Sequence, residues 1–121
     1  MKKSTFLFFF TIFSMTVAYV SCRTNSVGSI TTDELAKNLD NAQYVIIDVR
    51  NDSFYNGFKE AGAQRGGHIK GAVQFSRPWL DYIDDDFFES FAAGKGITKD
   101  KTIVLYSATN QLASYRVFWA L

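Results

Sequence analysis

The chain has 121 residues, of which 13 are basic, 12 acidic and one is cysteine. That length holds one domain at most. Near-neutral charge gives no electrostatic case for binding nucleic acid or an anionic membrane surface, and a single cysteine excludes an internal disulfide.

Residues 1–21 read as an export signal rather than as part of a fold. Lys2 and Lys3 form a basic start, and Phe6 to Val20 is apolar apart from Thr11, Ser14 and Thr16. The run is shorter than the roughly 20 apolar residues of a comfortable spanning helix. Five phenylalanines between positions 6 and 13 leave no polar face for a buried core helix. A basic start, a short apolar stretch and a small residue before the break mark a cleavable signal. The break, Ala18-Tyr19-Val20-Ser21-Cys22, resembles the lipobox of bacterial lipoproteins, although Tyr19 stands where those sequences usually carry an aliphatic residue. The resemblance implies that Cys22 becomes the acylated first residue of a protein anchored to the lipid bilayer of the cell envelope. The alternative is a periplasmic or secreted protein cut near Ser21, with Cys22 a free thiol. Residues 22–29 form a polar tether. Loss of Lys2 and Lys3 leaves 11 basic and 12 acidic residues, a net charge of −1.

Thr31-Thr32-Asp33-Glu34 has the pattern of a capping box, and Leu35 and Leu39 follow at helical spacing, so a short helix is predicted to about Leu39. Tyr44 to Ile47 is a continuous apolar run, expected of a strand buried on both faces. It leads into Asp48-Val49-Arg50, a helix predicted over Asp52 to Glu60, and a loop from Gly62 to Gly67. A second strand is predicted at Ala72 to Phe75, then a loop around Pro78 and a helix over Asp84 to Ala93. The acids of Asp84-Asp85-Asp86 favour the dipole at a helix start. They suit a solvated first turn better than a metal site, because neighbouring residues on a helix point in different directions. Tyr55, Phe58, Phe87, Phe88 and Phe91, at helical spacing, are expected in the core. Thr102 to Tyr106 is a third buried strand, and a last helix from Leu112 to Leu121 carries an apolar stripe of Tyr115, Phe118 and Trp119.

Strands alternating with helices imply an α/β fold, a parallel sheet with helices on both faces. Ligand chemistry in such sheets collects beyond the carboxyl ends of the strands. Two segments qualify, Asp48 to Arg50 and Ser107 to Gln111. The second opens onto a helix, whose free amides favour an anion. Arg50 has a guanidinium fork suited to an anionic donor or sulfate. The competing reading has Asp48 bonding the turn just after it and Arg50 paired with a nearby acid.

Three segments together, Val45-Ile46-Ile47-Asp48-Val49-Arg50, Gly67-His68-Ile69-Lys70-Gly71-Ala72 and Ile103-Val104-Leu105-Tyr106-Ser107, resemble a rhodanese-like domain from about Ile30 to Leu121. Active members of that family are sulfurtransferases, and they hold a persulfide on a cysteine at the place matched here by Ser107. The resemblance therefore implies a catalytically silent domain, because a serine hydroxyl lacks the accessible, soft thiolate that attacks sulfur. Asp48, Arg50, Gly67, His68 and Gly71 are the family's structural motif. The loop Ser107, Ala108, Thr109, Asn110, Gln111 and Leu112 is the anion or substrate loop, with Arg50 at its edge. It lacks the glycine and arginine usual in active single-domain members. The stretch from Val104 to Trp119 is most similar to the non-catalytic first domain of tandem-domain thiosulfate sulfurtransferases.

A serine-based hydrolase needs an adjacent base. The only histidine, His68, precedes its strand and is expected at the amino edge of the sheet, away from Ser107, as a structural support for its glycine turn. The family's fold continues past the last helix, so the domain is expected to be incomplete at Leu121 and completed by further sequence, a second rhodanese domain or a partner chain. The alternative to a silent domain is one part of an active enzyme whose cysteine lies in that missing sequence or second chain. No metal, no cofactor and no nucleic acid is expected.

Overall fold

The computed structural model describes residues 27–108 and 111–121. The signal, Cys22 and most of the tether lie outside the described residues. No helix among those described is long and apolar enough to cross a membrane.

Helix α1 covers Thr32–Lys37. Its capping box is formed: the Glu34 amide donates to Thr31 Oγ1 at 3.2 Å, and the Thr31 amide donates to Glu34 Oε2 at 3.1 Å. The helix stops two residues before the predicted Leu39, where the Asn38 side-chain amide donates to the Glu34 carbonyl at 2.8 Å and closes the last turn. Strand β1, Tyr44–Asp48, follows.

Helix α2 is a single turn, Asp52–Tyr55, and not the predicted span to Glu60. Gly57 takes a φ of +113°, a left-handed conformation. The Phe58 amide then reaches back to the Ser53 carbonyl at 3.0 Å and the Gly57 amide to Phe54 at 3.3 Å, a Schellman termination. The returning loop presses Gly66 onto that end: a Cβ there would lie 2.0 Å from the Gly57 carbonyl oxygen, so only glycine fits.

Strand β2 is Val73–Gln74, followed by a 3-10 turn at Arg77–Asp81 that begins at Pro78's flank. Helix α3, Asp85–Gly94, starts where predicted, with Asp84 as its cap and Asp85 and Asp86 in the first turn. Strand β3 is Thr102–Tyr106, and helix α4 is Leu112–Ala120.

The three strands form one parallel sheet in the order β2-β1-β3. All five residues of β1 pair with β3, from Tyr44 opposite Thr102 to Asp48 opposite Tyr106. Strand β2 pairs only with the carboxyl end of β1, Ile47 with Val73 and Asp48 with Gln74. The core cluster holds Ile47, Val49, Phe75 and Val117, all fully buried, and Ile46 and Val104, which alternate with their neighbours along β1 and β3, are buried as well. Phe75 is its aromatic centre, with ring centroids of Phe91 and Phe88 at 5.5 and 6.0 Å.

One expectation about the core fails in part. Phe58 and Phe87 are exposed, while Phe88 and Phe91 pack inward as expected. The predicted apolar stripe of α4 also faces outward: Tyr115 is 58%, Phe118 40% and Trp119 83% exposed. The helix instead seats Val117 and, one turn earlier, Ala113, because small side chains let it approach the sheet closely.

Candidate functional site at the carboxyl ends of the strands

The parallel register sets Asp48 and Tyr106 side by side at the carboxyl ends of β1 and β3. Asp48 is fully buried. A buried carboxylate is stable only when its oxygens are satisfied, and here they are. The Arg50 amide donates to Asp48 Oδ1 at 3.0 Å, the turn closure expected of an aspartate. The Arg50 guanidinium grips the same carboxylate, Nε to Oδ1 at 2.9 Å and Nη2 to Oδ2 at 2.6 Å. The Tyr106 hydroxyl donates to Oδ2 at 2.7 Å.

The network extends into the glycine-rich segment. Arg50 Nη2 donates to the Gly67 carbonyl at 2.8 Å, and the Ile69 amide donates to the Tyr106 hydroxyl oxygen at 3.1 Å. Arg50 also lies over the Tyr106 ring, 5.4 Å from its centroid. The Asp-Val-Arg and Gly-His-Ile segments are thus one brace, closed through a tyrosine.

The electrostatics follow from this geometry. Burial pushes the Asp48 carboxyl up, but hydrogen bonds from Arg50 and Tyr106 and the Arg50 charge outweigh it and hold the group below its ordinary value. The hydrogen bond to Asp48 raises Arg50 against burial. Burial, helped by the neighbouring Asp48 carboxylate, pushes the Tyr106 phenol up to about 12. The trio is therefore an ion pair with a neutral tyrosine across the physiological range.

Arg50 bears on the anion site predicted from sequence. Its fork is engaged with Asp48 and the Gly67 carbonyl, its third nitrogen lies 3.9 Å from Glu60, and its side chain is only 14% exposed. The competing reading, Asp48 holding its turn and Arg50 paired with an acid, describes the observed arrangement.

His68 does not sit at the amino edge of the sheet as expected. Because β2 pairs only with the end of β1, the segment before it lies alongside the Asp48–Tyr106 row and helix α2. The His68 ring stacks on Tyr55 with centroids 3.9 Å apart and an interplanar angle of 5°. Its Nδ1 donates to the Tyr55 carbonyl at 2.9 Å, since a carbonyl only accepts. Tyr55 in turn donates its hydroxyl to the Ala72 carbonyl at 2.9 Å. Gly67 and Gly71 bend the chain on either side with φ of +88° and +78°. The histidine supports its turn.

The loop after β3 is different in kind. Ser107 is half-buried, and its hydroxyl makes no hydrogen bond to another described residue. Ala108, Gln111 and Leu112 are exposed, and Thr109 and Asn110 lie outside the described residues. Gln111 occupies the start of α4 without a side-chain cap. Ser107 is hydrogen-bonded to no base among the described residues, and no group of three His, Cys, Asp or Glu side chains gathers as metal ligands among them. The tyrosine at the heart of the brace, Tyr106, was legible in sequence only as a strand residue.

A short parallel sheet with a loop-to-helix junction at the end of β3 is the architecture of an α/β domain whose chemistry would sit on that junction. The chain belongs to the rhodanese-like domain family, whose model matches residues 31–121. It is similar to a putative thiosulfate sulfurtransferase of Mycobacterium leprae (strain TN), at 26% identity over 99 residues, 74% of this chain and 32% of the relative. Among solved structures it is similar to a variant of EanB in complex with ergothioneine, at 37% identity and a TM-score of 0.64, covering 74% of this chain and 20% of that one. A second EanB structure, in which ergothioneine is covalently linked with a persulfide cysteine, is 42% identical with a TM-score of 0.57 over 64% of this chain and 17% of that one. The chain thus spans about a third of the length of the curated relative and about a fifth of EanB.

Proposed function

We propose that this chain is a catalytically silent rhodanese-like domain, the supporting half of a sulfurtransferase in the manner of the non-catalytic first domain of tandem-domain enzymes. One observation carries the reading: the matched span, residues 31–121, contains no cysteine, and Ser107 occupies the loop after β3. Sulfur transfer through a persulfide needs a thiolate that attacks sulfur and later releases it. A serine hydroxyl, hydrogen-bonded to no base among the described residues, does neither. The domain's contribution is then a rigid frame, with Asp48, Arg50 and Tyr106 holding the strand ends in register.

A second reading is favoured by length. The relatives are several times longer than the span they share with this chain, so a sulfurtransferase of which this domain is one part takes its cysteine from further sequence or a second chain. On either reading the basic start and short apolar run of residues 1–21 support export, and the lipobox-like Ala18 to Cys22 supports an anchor on the envelope membrane through an acylated Cys22. A Cys22→Ser chain that still fractionates with membranes would rule out that anchor.

The direct test is cyanide-dependent thiocyanate formation from thiosulfate by the purified chain. The silent reading expects none. Turnover by the chain alone overturns it.

A further inference from the structure

We propose that Asn56 is a self-modification site, where the chain converts its own asparagine amide to aspartate and isoaspartate at a rate set by the turn that ends α2. The inference is independent of whether the domain transfers sulfur.

The starting observation is how the asparagines are held. The chain has six, and only Asn56 is followed by a glycine. Three others have their side chains tied. Asn38 Nδ2 donates to the Glu34 carbonyl at 2.8 Å, Asn41 Nδ2 donates to Asn38 Oδ1 at 3.0 Å, and Asn51 Oδ1 accepts from the Ser53 amide at 3.2 Å. Asn25 and Asn110 lie outside the described residues. Asn56 is exposed, and its side chain makes no hydrogen bond to another described residue.

A free amide beside a glycine is set up for an intramolecular reaction. The Gly57 nitrogen loses its proton to hydroxide and attacks Asn56 Cγ, while the side-chain nitrogen takes a proton from water and leaves as ammonia. Water then opens the resulting five-membered succinimide at either carbonyl. One opening leaves aspartate in an ordinary chain; the other leaves isoaspartate, with the backbone routed through the side chain and one atom longer. The sum is one water consumed and one ammonia released, with no oxidant or reductant. Glycine favours the attack because it has no Cβ to obstruct it, and the space around Gly57 is open.

The fold holds this reaction back. Asn56 closes α2 with φ of −80° and ψ of 6°, which turns the Gly57 nitrogen away from the Asn56 side chain. Ring closure therefore needs rotation about the Asn56 Cα–C bond. That rotation breaks the bonds from the Gly57 amide to Phe54 at 3.3 Å and from the Phe58 amide to Ser53 at 3.0 Å. Two backbone hydrogen bonds of ordinary net strength slow the reaction by on the order of ten- to a hundredfold. The turn opens locally, without global unfolding. Every group that forms this gate lies within residues 53–66.

The product loosens what the turn supports. Gly66 packs closely on the Gly57 carbonyl, and the Tyr55 carbonyl, one residue before the site, accepts from His68 Nδ1 at 2.9 Å. An extra backbone atom between these two contacts moves one against the other. Asn56 is thus an irreversible clock on the Gly-His-Ile segment.

Peptide mass mapping of the purified chain, incubated in mildly alkaline buffer with and without urea, tests the proposal. In urea the amide-to-acid conversion should concentrate at Asn56 and yield both aspartate and isoaspartate. In native buffer Asn56 should convert about ten- to a hundredfold more slowly, yet faster than Asn38, Asn41 and Asn51. Gly66→Ala, whose methyl would push Gly57 out of its turn, should bring the native rate toward the rate in urea. If that variant fails to fold, the parent in urea below its unfolding midpoint gives the same comparison, with the Asn56 rate rising before circular dichroism changes. Conversion at Asn56 no faster than at the other three overturns the proposal. So do equal rates in the two buffers, and so does aspartate without isoaspartate, which would mean direct hydrolysis.

Discussion

Two regions at the carboxyl edge of one sheet are built on opposite plans. The Asp48–Arg50–Tyr106 brace is buried, charge-paired and bonded to the backbone of Gly67 and Ile69. The loop from Ser107, one residue beyond Tyr106, is half-buried at its start and exposed at Ala108, Gln111 and Leu112, with no hydrogen bond from the serine to another described residue. The difference separates two jobs that active members of such a family combine. Holding the strand ends in place depends on the brace and makes no use of a thiol. On the proposed reading the chemistry depends on one side chain in the loop, which is serine here.

The largest effect is expected from breaking the brace at its centre. Asp48→Ala leaves the Arg50 guanidinium buried without its partner, and breaking a buried pair on one side costs about 3–5 kcal/mol. Chemical denaturation should show a loss of that order, a large part of the total stability of a domain this size. A loss below about 1 kcal/mol would mean that the brace is replaceable by water. Tyr106→Phe removes one donor to Asp48 and the acceptor of the Ile69 amide, and should cost about 1–3 kcal/mol.

The same network predicts two pH limbs. Asp48 has a folded-state pKa below its ordinary 3.8, so its contribution is complete above that value and is lost as pH falls through the folded pKa. Tyr106 is raised from 10.0 to about 12, so its contribution is complete below pH 10 and is lost as pH rises from 10 to about 12. Denaturation midpoints across pH should fall at both ends; Tyr106→Phe should remove the alkaline limb and shrink the acid one, which Arg50 still maintains.

Away from the brace the effects shrink. Thr31→Ala deletes the capping box of α1 and should cost about 1 kcal/mol. Ser107→Ala should change stability by no more than about 0.5 kcal/mol, the usual range for a side chain without special contacts. Ser107→Cys should restore little sulfur transfer, because the loop also lacks the glycine and arginine that would stabilise an anion. A Ser107→Ala loss comparable with that of Tyr106→Phe would erase the contrast between the two regions.

Much of this arrangement is legible in the sequence. Continuous apolar runs marked β1 and β3, and Thr31 with Glu34 announced a helix start that formed with both of its hydrogen bonds. The glycine-histidine segment and the Asp-x-Arg turn were legible as motifs, and their family is the one the chain belongs to. Their connection was not, because the bond between Tyr106 and Asp48 joins residues 58 positions apart and depends on strand register. The place of His68 was misjudged for a related reason: chain order put it at the amino edge, whereas β2 is so short that its lead-in lies beside the end of β1. Helix α2 was read too long because the apolar spacing continued past Gly57, where the backbone turns left-handed. In α4 the apolar stripe read from sequence is not the face that packs. Close packing selected Val117 and Ala113, and left Trp119 in water.

The most direct test of the central claim, that no persulfide chemistry resides in residues 31–121, is to incubate the purified chain and its Cys22→Ser variant with thiosulfate and cyanide. Thiocyanate should form at the uncatalysed rate in both, with no sulfur adduct on the intact Cys22→Ser chain by mass spectrometry. Catalysed thiocyanate formation by the Cys22→Ser chain would contradict the claim.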